Sequence, residues 1–217
     1  MKKILNSKKS RIIILFALIF IALTEVIFRA IAMGQASLNT ANAGEQITII
    51  VFAAIILLFT VKGNDKISYI SCGALIAYFV MDQLFELPGM IGNLLANISN
   101  PVIAISIAIR LLTMIGIVAI SVLLVEYVND GTIYNRAFNV IYWITILLHV
   151  VDIIMCISGF VFGGSVEVPN GVDFSILRQQ AMLIIFNNIY RIIMVVLFTS
   201  FAYDSANRQL KRESLTK

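Results

Sequence analysis

The chain has 217 residues, 60% of them hydrophobic and 13% charged, and a mean hydropathy of +0.96. A soluble domain carries about 25% charged residues, so this composition argues against a water-soluble protein. The net charge of +4 sits at the edges of apolar runs rather than in a patch, which argues against a nucleic-acid partner.

Six apolar runs, at about 12–33, 46–61, 67–87, 102–128, 138–162 and 177–203, predict an all-α bundle of six transmembrane helices forming one domain over 1–217. The first run follows a basic segment, Met1 to Arg11. It is too long for a signal-peptide core and lacks a clean small-residue cleavage site, so it reads as a retained helix. Its Glu25 and Arg29 are four residues apart and share a face. The second run has no polar stripe and is expected on the lipid-exposed rim. The third aligns Ser71, Tyr78, Asp82 and Glu86, then meets Pro88-Gly89, a break signal. The half-apolar stretch Gly89 to Ser99 is expected at the outer interface. The fourth aligns Ser106, Arg110 and Thr113. On the fifth, Thr145, His149, Asp152, Cys156 and Gly159 recur at helical spacing, and the sixth presents Gln180, Asn187 and Arg191, with Asn188 beside them. That helix continues without a breaker into a basic tail over 204–217.

Lysine and arginine placement predicts orientation. Twelve of the sixteen basic residues fall at the N-terminus, in the second and fourth loops and in the tail. The opposite side carries only Arg178, and Arg29, Arg110 and Arg191 lie inside spans. The bias puts both termini in the cytoplasm, and the expected location is a bacterial cytoplasmic membrane.

Charges inside spans are the informative residues. Each costs about 2.5–3.5 kcal/mol at the bilayer centre, so Glu25, Arg29, Asp82, Arg110, Asp152 and Arg191 must face one another or water. Three are acidic and three basic, so the set can neutralise itself. At about 1.5 Å per residue most fall at a common height, with His149 among them, which predicts a polar pocket opening outward. The alternative is a set of ion pairs and asparagine hydrogen bonds that lock helices together. The candidate site is Glu25, Arg29, Tyr78, Asp82, Arg110, His149, Asp152, Asn187 and Arg191.

Known intramembrane enzymes offer partial likenesses. Glu25-Val-Ile-Phe-Arg29 resembles part of the Glu-Glu-x-x-x-Arg motif of CAAX-type intramembrane proteases, but Thr24 stands where the first glutamate belongs. That family also needs several histidines, and this chain has one. The order Cys72, Arg110, His149 resembles that of exosortases and archaeosortases, yet helical rise puts Cys72 about 9 Å below the other two, too far for a nucleophile and its base.

No phosphate-binding glycine loop is present, no cofactor is expected, and the two cysteines, Cys72 and Cys156, lie in apolar runs, away from any disulfide framework or zinc set. The expected function is capture or transport of a small polar or zwitterionic solute, with the bilayer as surroundings and a cytoplasmic ATPase as a candidate partner. In outline the chain is similar to the substrate-binding subunits of energy-coupling-factor vitamin transporters. The Ala-x-x-x-Ala docking pattern those subunits carry on the first helix is absent from Ile12 to Thr24. Two alternatives stand beside it: a sensor module acting through a cytoplasmic signalling partner, and an enzyme using His149 and Asp152.

Overall fold

The computed structural model describes residues 7–33, 44–99, 101–130, 135–162 and 174–215. The loops expected at 34–43, 131–134 and 163–173, the first six residues and the last two lie outside these, as do the side chains of Arg178, Gln180 and the tail's basic residues. Among the described residues the chain forms six α-helices and no strand. They are α1 (Lys8–Met33), α2 (Gly44–Lys62), α3 (Asp65–Ala96), α4 (Pro101–Asp130), α5 (Asn135–Phe162) and α6 (Phe174–Leu215). All six are long and apolar enough to cross a membrane.

The outer surface suits a hydrocarbon solvent. Large apolar side chains such as Phe20, Ile31, Phe85 and Leu147 are more than half exposed, all around the bundle. A soluble protein does not tolerate an apolar surface of that extent. Hydroxyls on the helices turn back to their own backbone where no water would meet them: Thr24 donates to the Phe20 carbonyl at 2.8 Å, and Thr199 to Val195 at 2.7 Å.

Consecutive helices pack as neighbours, and α6 closes the ring by packing on α1 and α5. It also leans on α4, and touches α3 only sparingly. α6 is therefore the hub. Its Tyr190, Met194, Leu197 and Phe198 are buried to within 1% exposure and meet Leu15, Leu18, Phe79 and Ile117 in one core. α4 and α5 approach closely at Gly116, where a Cβ would stand 2.2 Å from Thr145 Oγ1. Only glycine allows that contact.

The α2–α3 connection follows directly from its residues. Gly63 adopts φ 76°, the left-handed geometry that ends a helix. Asn64 then caps α3 by accepting from the Ile67 N–H at 3.4 Å, and Asp65 stands in the first turn. Thr60 and Ser68 hydroxyls meet at 2.7 Å across the turn.

Two expectations are corrected. α3 does not stop at Pro88-Gly89 but runs on to Ala96. Proline removes one N–H donor from the ladder, whereas ending the helix there would leave its last four carbonyls to find other partners; continuing the helix is the smaller loss. The second concerns polarity rather than position: α2 packs only on α1 and α3, as a rim helix does, but its buried face carries Gln46 and Thr60 beside Ile49, Ala53 and Ile56.

Candidate functional site: a charged layer and its cavity

Arg11 near the start of α1 forms a salt bridge at 3.2 Å with Asp204 near the end of α6, so the two terminal helices share one end of the bundle, here the termini end. The intramembrane charges gather in the other half, in three linked groups.

The first joins α1 and α2. Arg29 donates to Glu25 Oε1 through Nη2 at 2.6 Å and Nε at 3.2 Å. Gln46 Nε2 donates to the same oxygen at 3.1 Å. Glu25 is fully buried, and its Oε2 and the Gln46 Oε1 have no protein partner.

The second joins α2, α3 and α6. The Tyr190 hydroxyl donates to Glu45 at 2.5 Å, and Arg191 pairs with Glu86 at 3.5 Å. Arg191 is also close enough to Glu25 and Glu45 to act on both electrostatically. Beside this group Asp82 accepts from Gln83 at 3.2 Å, and Tyr78 sits next to Thr48, facing Glu45 and Asp82.

The third joins α4, α5 and α6. Asp152, 2% exposed, accepts from Asn188 at 2.6 Å and faces Arg110 at 3.5 Å. Asn188 also donates to the Ile184 carbonyl at 3.0 Å, which fixes its amide. One turn earlier His149 is fully buried, with Nδ1 2.8 Å from the Thr145 carbonyl. A carbonyl only accepts, so Nδ1 carries the proton and Nε2 presents a lone pair. That lone pair has no protein partner.

Groups two and three meet at an open cavity of about 170 Å³. Its charged and amide wall is Glu86, Arg110, Asp152, Asn187, Asn188 and Arg191, with Thr113, Met90, Met114 and Ile184 completing it. Four buried atoms of that wall lack a hydrogen bond: Arg110 Nε, Arg191 Nε, Asp152 Oδ1 and Asn187 Oδ1. Of these, Arg110 Nε and Asp152 Oδ1 face each other at 3.5 Å as an ion pair, and Arg191 Nε and Asn187 Oδ1 are left without a partner. Buried polar groups left so cost about 1–3 kcal/mol each, and the cavity is where a partner for them can enter.

Of the nine residues singled out from the sequence, Arg110, Asp152, Asn187 and Arg191 line the cavity. Glu25, Arg29, Tyr78, Asp82 and His149 do not line it and meet their own partners instead: Glu25 and Arg29 each other, Asp82 Gln83, Tyr78 Thr48 and His149 the Thr145 carbonyl. Sequence reasoning missed Glu45, Gln46 and Tyr190. Their placement also revises the charge balance: Glu45 and Glu86 raise the carboxylates of the layer to five against three guanidiniums, a formal excess of two negative charges. The cavity wall alone stays balanced, two of each sign.

Among the described residues no group of His, Cys, Asp or Glu is arranged to hold a metal. Cys72 and Cys156 are both free. Cys72 is buried at the termini half, beside Tyr69 and Phe201 rather than His149 and Arg110. No family, no curated protein and no solved structure matches this chain.

Proposed function

We propose that this chain is an integral protein of a bacterial cytoplasmic membrane, with both termini inside, that captures a small polar or zwitterionic solute in the cavity between α3, α4, α5 and α6. It acts as a transport or substrate-capture component. The single observation that carries this reading is the wall itself: both signs of charge around an open cavity, Arg110 with Asp152 and Arg191 with Glu86, beside two buried atoms, Arg191 Nε and Asn187 Oδ1, that have no hydrogen-bond partner in the protein. A carboxylate on the solute would meet the guanidiniums of Arg110 and Arg191, and an ammonium would meet Asp152 and Asn187. The volume, about 170 Å³, is of the same order as a cavity of ~150 Å³ that admits benzene. That sets the solute's size near a small amino acid.

The test is a thermal-shift screen of the purified protein in detergent against amino acids, vitamins and polyamines. The expected result is stabilisation by a small zwitterion, lost in Arg110→Ala and in Asp152→Asn. A broad panel without a hit overturns the reading.

A sensing role is the second reading, and α6 favours it. Its 42 residues span about 60 Å at 1.5 Å per residue, twice the hydrocarbon thickness. One helix thus joins the cavity to a segment beyond the bundle that a cytoplasmic partner could read. Co-purification with a kinase or cyclase supports this reading, and with an ATPase supports transport.

A further inference from the structure

The charged cavity is not the only opening along α6. A second cleft, about 210 Å³ and largely apolar, lies toward the termini end between α3, α4 and α6. Its wall includes Tyr69, Cys72, Ile76, Leu124, Phe198 and Phe201. The two openings share one seam. On α3 the residues Glu86, Phe79 and Cys72 follow at intervals of seven, and on α6 Arg191 and Phe198 do the same. Two turns of helix rise about 10 Å, so each pair forms one rung: charges first, then rings, then the second cleft.

The rings form a barrier. Phe79 packs on Tyr190 with centroids 6.4 Å apart and on Phe198 at 6.1 Å, and all three are at most 1% exposed. At the termini end of the cleft one cluster fastens the helices together. Asp204 pairs with Arg11 at 3.2 Å and accepts a hydrogen bond from Tyr69, while the Arg11 guanidinium lies 5.5 Å over the Phe201 ring. These contacts tie α1 and α3 to α6. Arg11 is 4% exposed, an unusual burial for a residue whose only task would be to hold a helix end at the lipid surface.

From this arrangement we infer that the chain is itself a carrier: the seam between α3 and α6 is the route, the Phe79–Tyr190–Phe198 rings are its barrier, and Arg11–Asp204–Tyr69 is its gate at the termini end. The inference rests on the solute-binding reading and goes beyond it, because a capture component needs only the first cavity. Opening requires α1 and α3 to part from α6 at the gate; α3 and α6 are the most sparingly packed of the touching helix pairs, whereas α1 and α6 pack closely and would hinge rather than separate along their length. Water then enters the second cleft.

Cys72 reports that event. With Cys156→Ser it is the one remaining thiol of the two in the chain, and it is 2% exposed in the closed form. In lipid nanodiscs, where both faces are reachable, its reaction with a charged, membrane-impermeant methanethiosulfonate should be slow. Asp204→Asn should accelerate it about tenfold, the worth of one charge-assisted hydrogen bond. Tyr69→Phe, a milder change, should accelerate it less and serves if Asp204→Asn does not fold. In parallel, the purified Cys156→Ser protein is reconstituted in vesicles, and binding and uptake of a radiolabelled L-amino-acid mixture are measured. Acceleration together with uptake supports the carrier. Unchanged labelling while a membrane-soluble maleimide reacts readily overturns it, since the cleft is then a lipid-filled groove. Binding without uptake also overturns it and leaves capture standing; neither binding nor uptake removes both readings.

Discussion

Asp152 is the residue on which the cavity's geometry leans hardest, and its replacement by asparagine gives a measurable consequence. Its carboxylate is 3.5 Å from Arg110 Nε. At an effective dielectric constant of 20 the attraction at that distance is about 5 kcal/mol. Arg110 keeps 34% of its side chain exposed, so cavity water screens the pair, and desolvation of the carboxylate offsets more. A net coupling of about 1–2 kcal/mol remains. Asp152→Asn also weakens the 2.6 Å bond from Asn188, so the variant should lose about 2–3 kcal/mol in all. Arg110→Gln should lose about 1 kcal/mol, because its head can turn toward the cavity. The assay is reversible unfolding in mixed micelles, run as a double-mutant cycle. The double variant should be less damaged than the sum of the singles by about 1–2 kcal/mol. Strict additivity, within about 0.3 kcal/mol, would refute the pairing and with it the charge balance of the wall.

Other consequences can be checked in the same assay. Tyr190→Phe deletes the donor to Glu45 and leaves a half-buried carboxylate short of a partner, which should cost about 1 kcal/mol; Glu45→Gln in the same chain should restore part of it, and no restoration would place Glu45 elsewhere. Gly116→Ala drives a methyl into Thr145, whose Oγ1, Cγ2 and Cβ stand 2.2, 3.1 and 3.2 Å from the new atom. Rotating the threonine cannot relieve all three, so α4 and α5 must separate at a cost of about 1–3 kcal/mol; Thr145→Ala should recover part of that loss. Pro88→Ala restores a backbone donor inside a continuous helix and should be neutral or stabilising, whereas a loss above about 1 kcal/mol would mean that the helix needs a proline-set bend there.

Much of the architecture is readable from the chain alone, because lipid imposes a simple rule on long apolar runs. The heights of Arg110, Asp152, Asn187 and Arg191 follow from counting residues along those runs, and these four do meet at the cavity. Height is not direction, however. Asp82 lies at the same level but faces Gln83, Tyr78 and Glu45 rather than the cavity, and no spacing rule on one helix reveals which neighbour a side chain will meet. Glu45 and Gln46 were hidden for another reason: they stand at the mouth of α2, where Glu45 reads as the end of a polar loop and Gln46 as the first residue of an apolar run. Tyr190 resembles any aromatic residue of an apolar helix until its hydroxyl is seen on Glu45. Arg11 reads as one more basic residue of a membrane flank, and only the return of α6 to the same end shows it buried on Asp204. Pro88 misleads because a Pro-Gly pair reads as a turn, whereas the one missing donor leaves the rest of the α3 ladder intact.

The claim that matters most is that the wall encloses room for a guest rather than a closed set of ion pairs. Ile184→Trp tests it directly, since Ile184 lines the cavity and carries no charge or hydrogen-bonding group. The indole should fill the space and leave every ion pair in place. Equilibrium binding of the stabilising zwitterion should then fall at least about a hundredfold, equivalent to ~2.7 kcal/mol, with unfolding stability unchanged or raised. Equal binding by the filled and unfilled proteins would contradict the account.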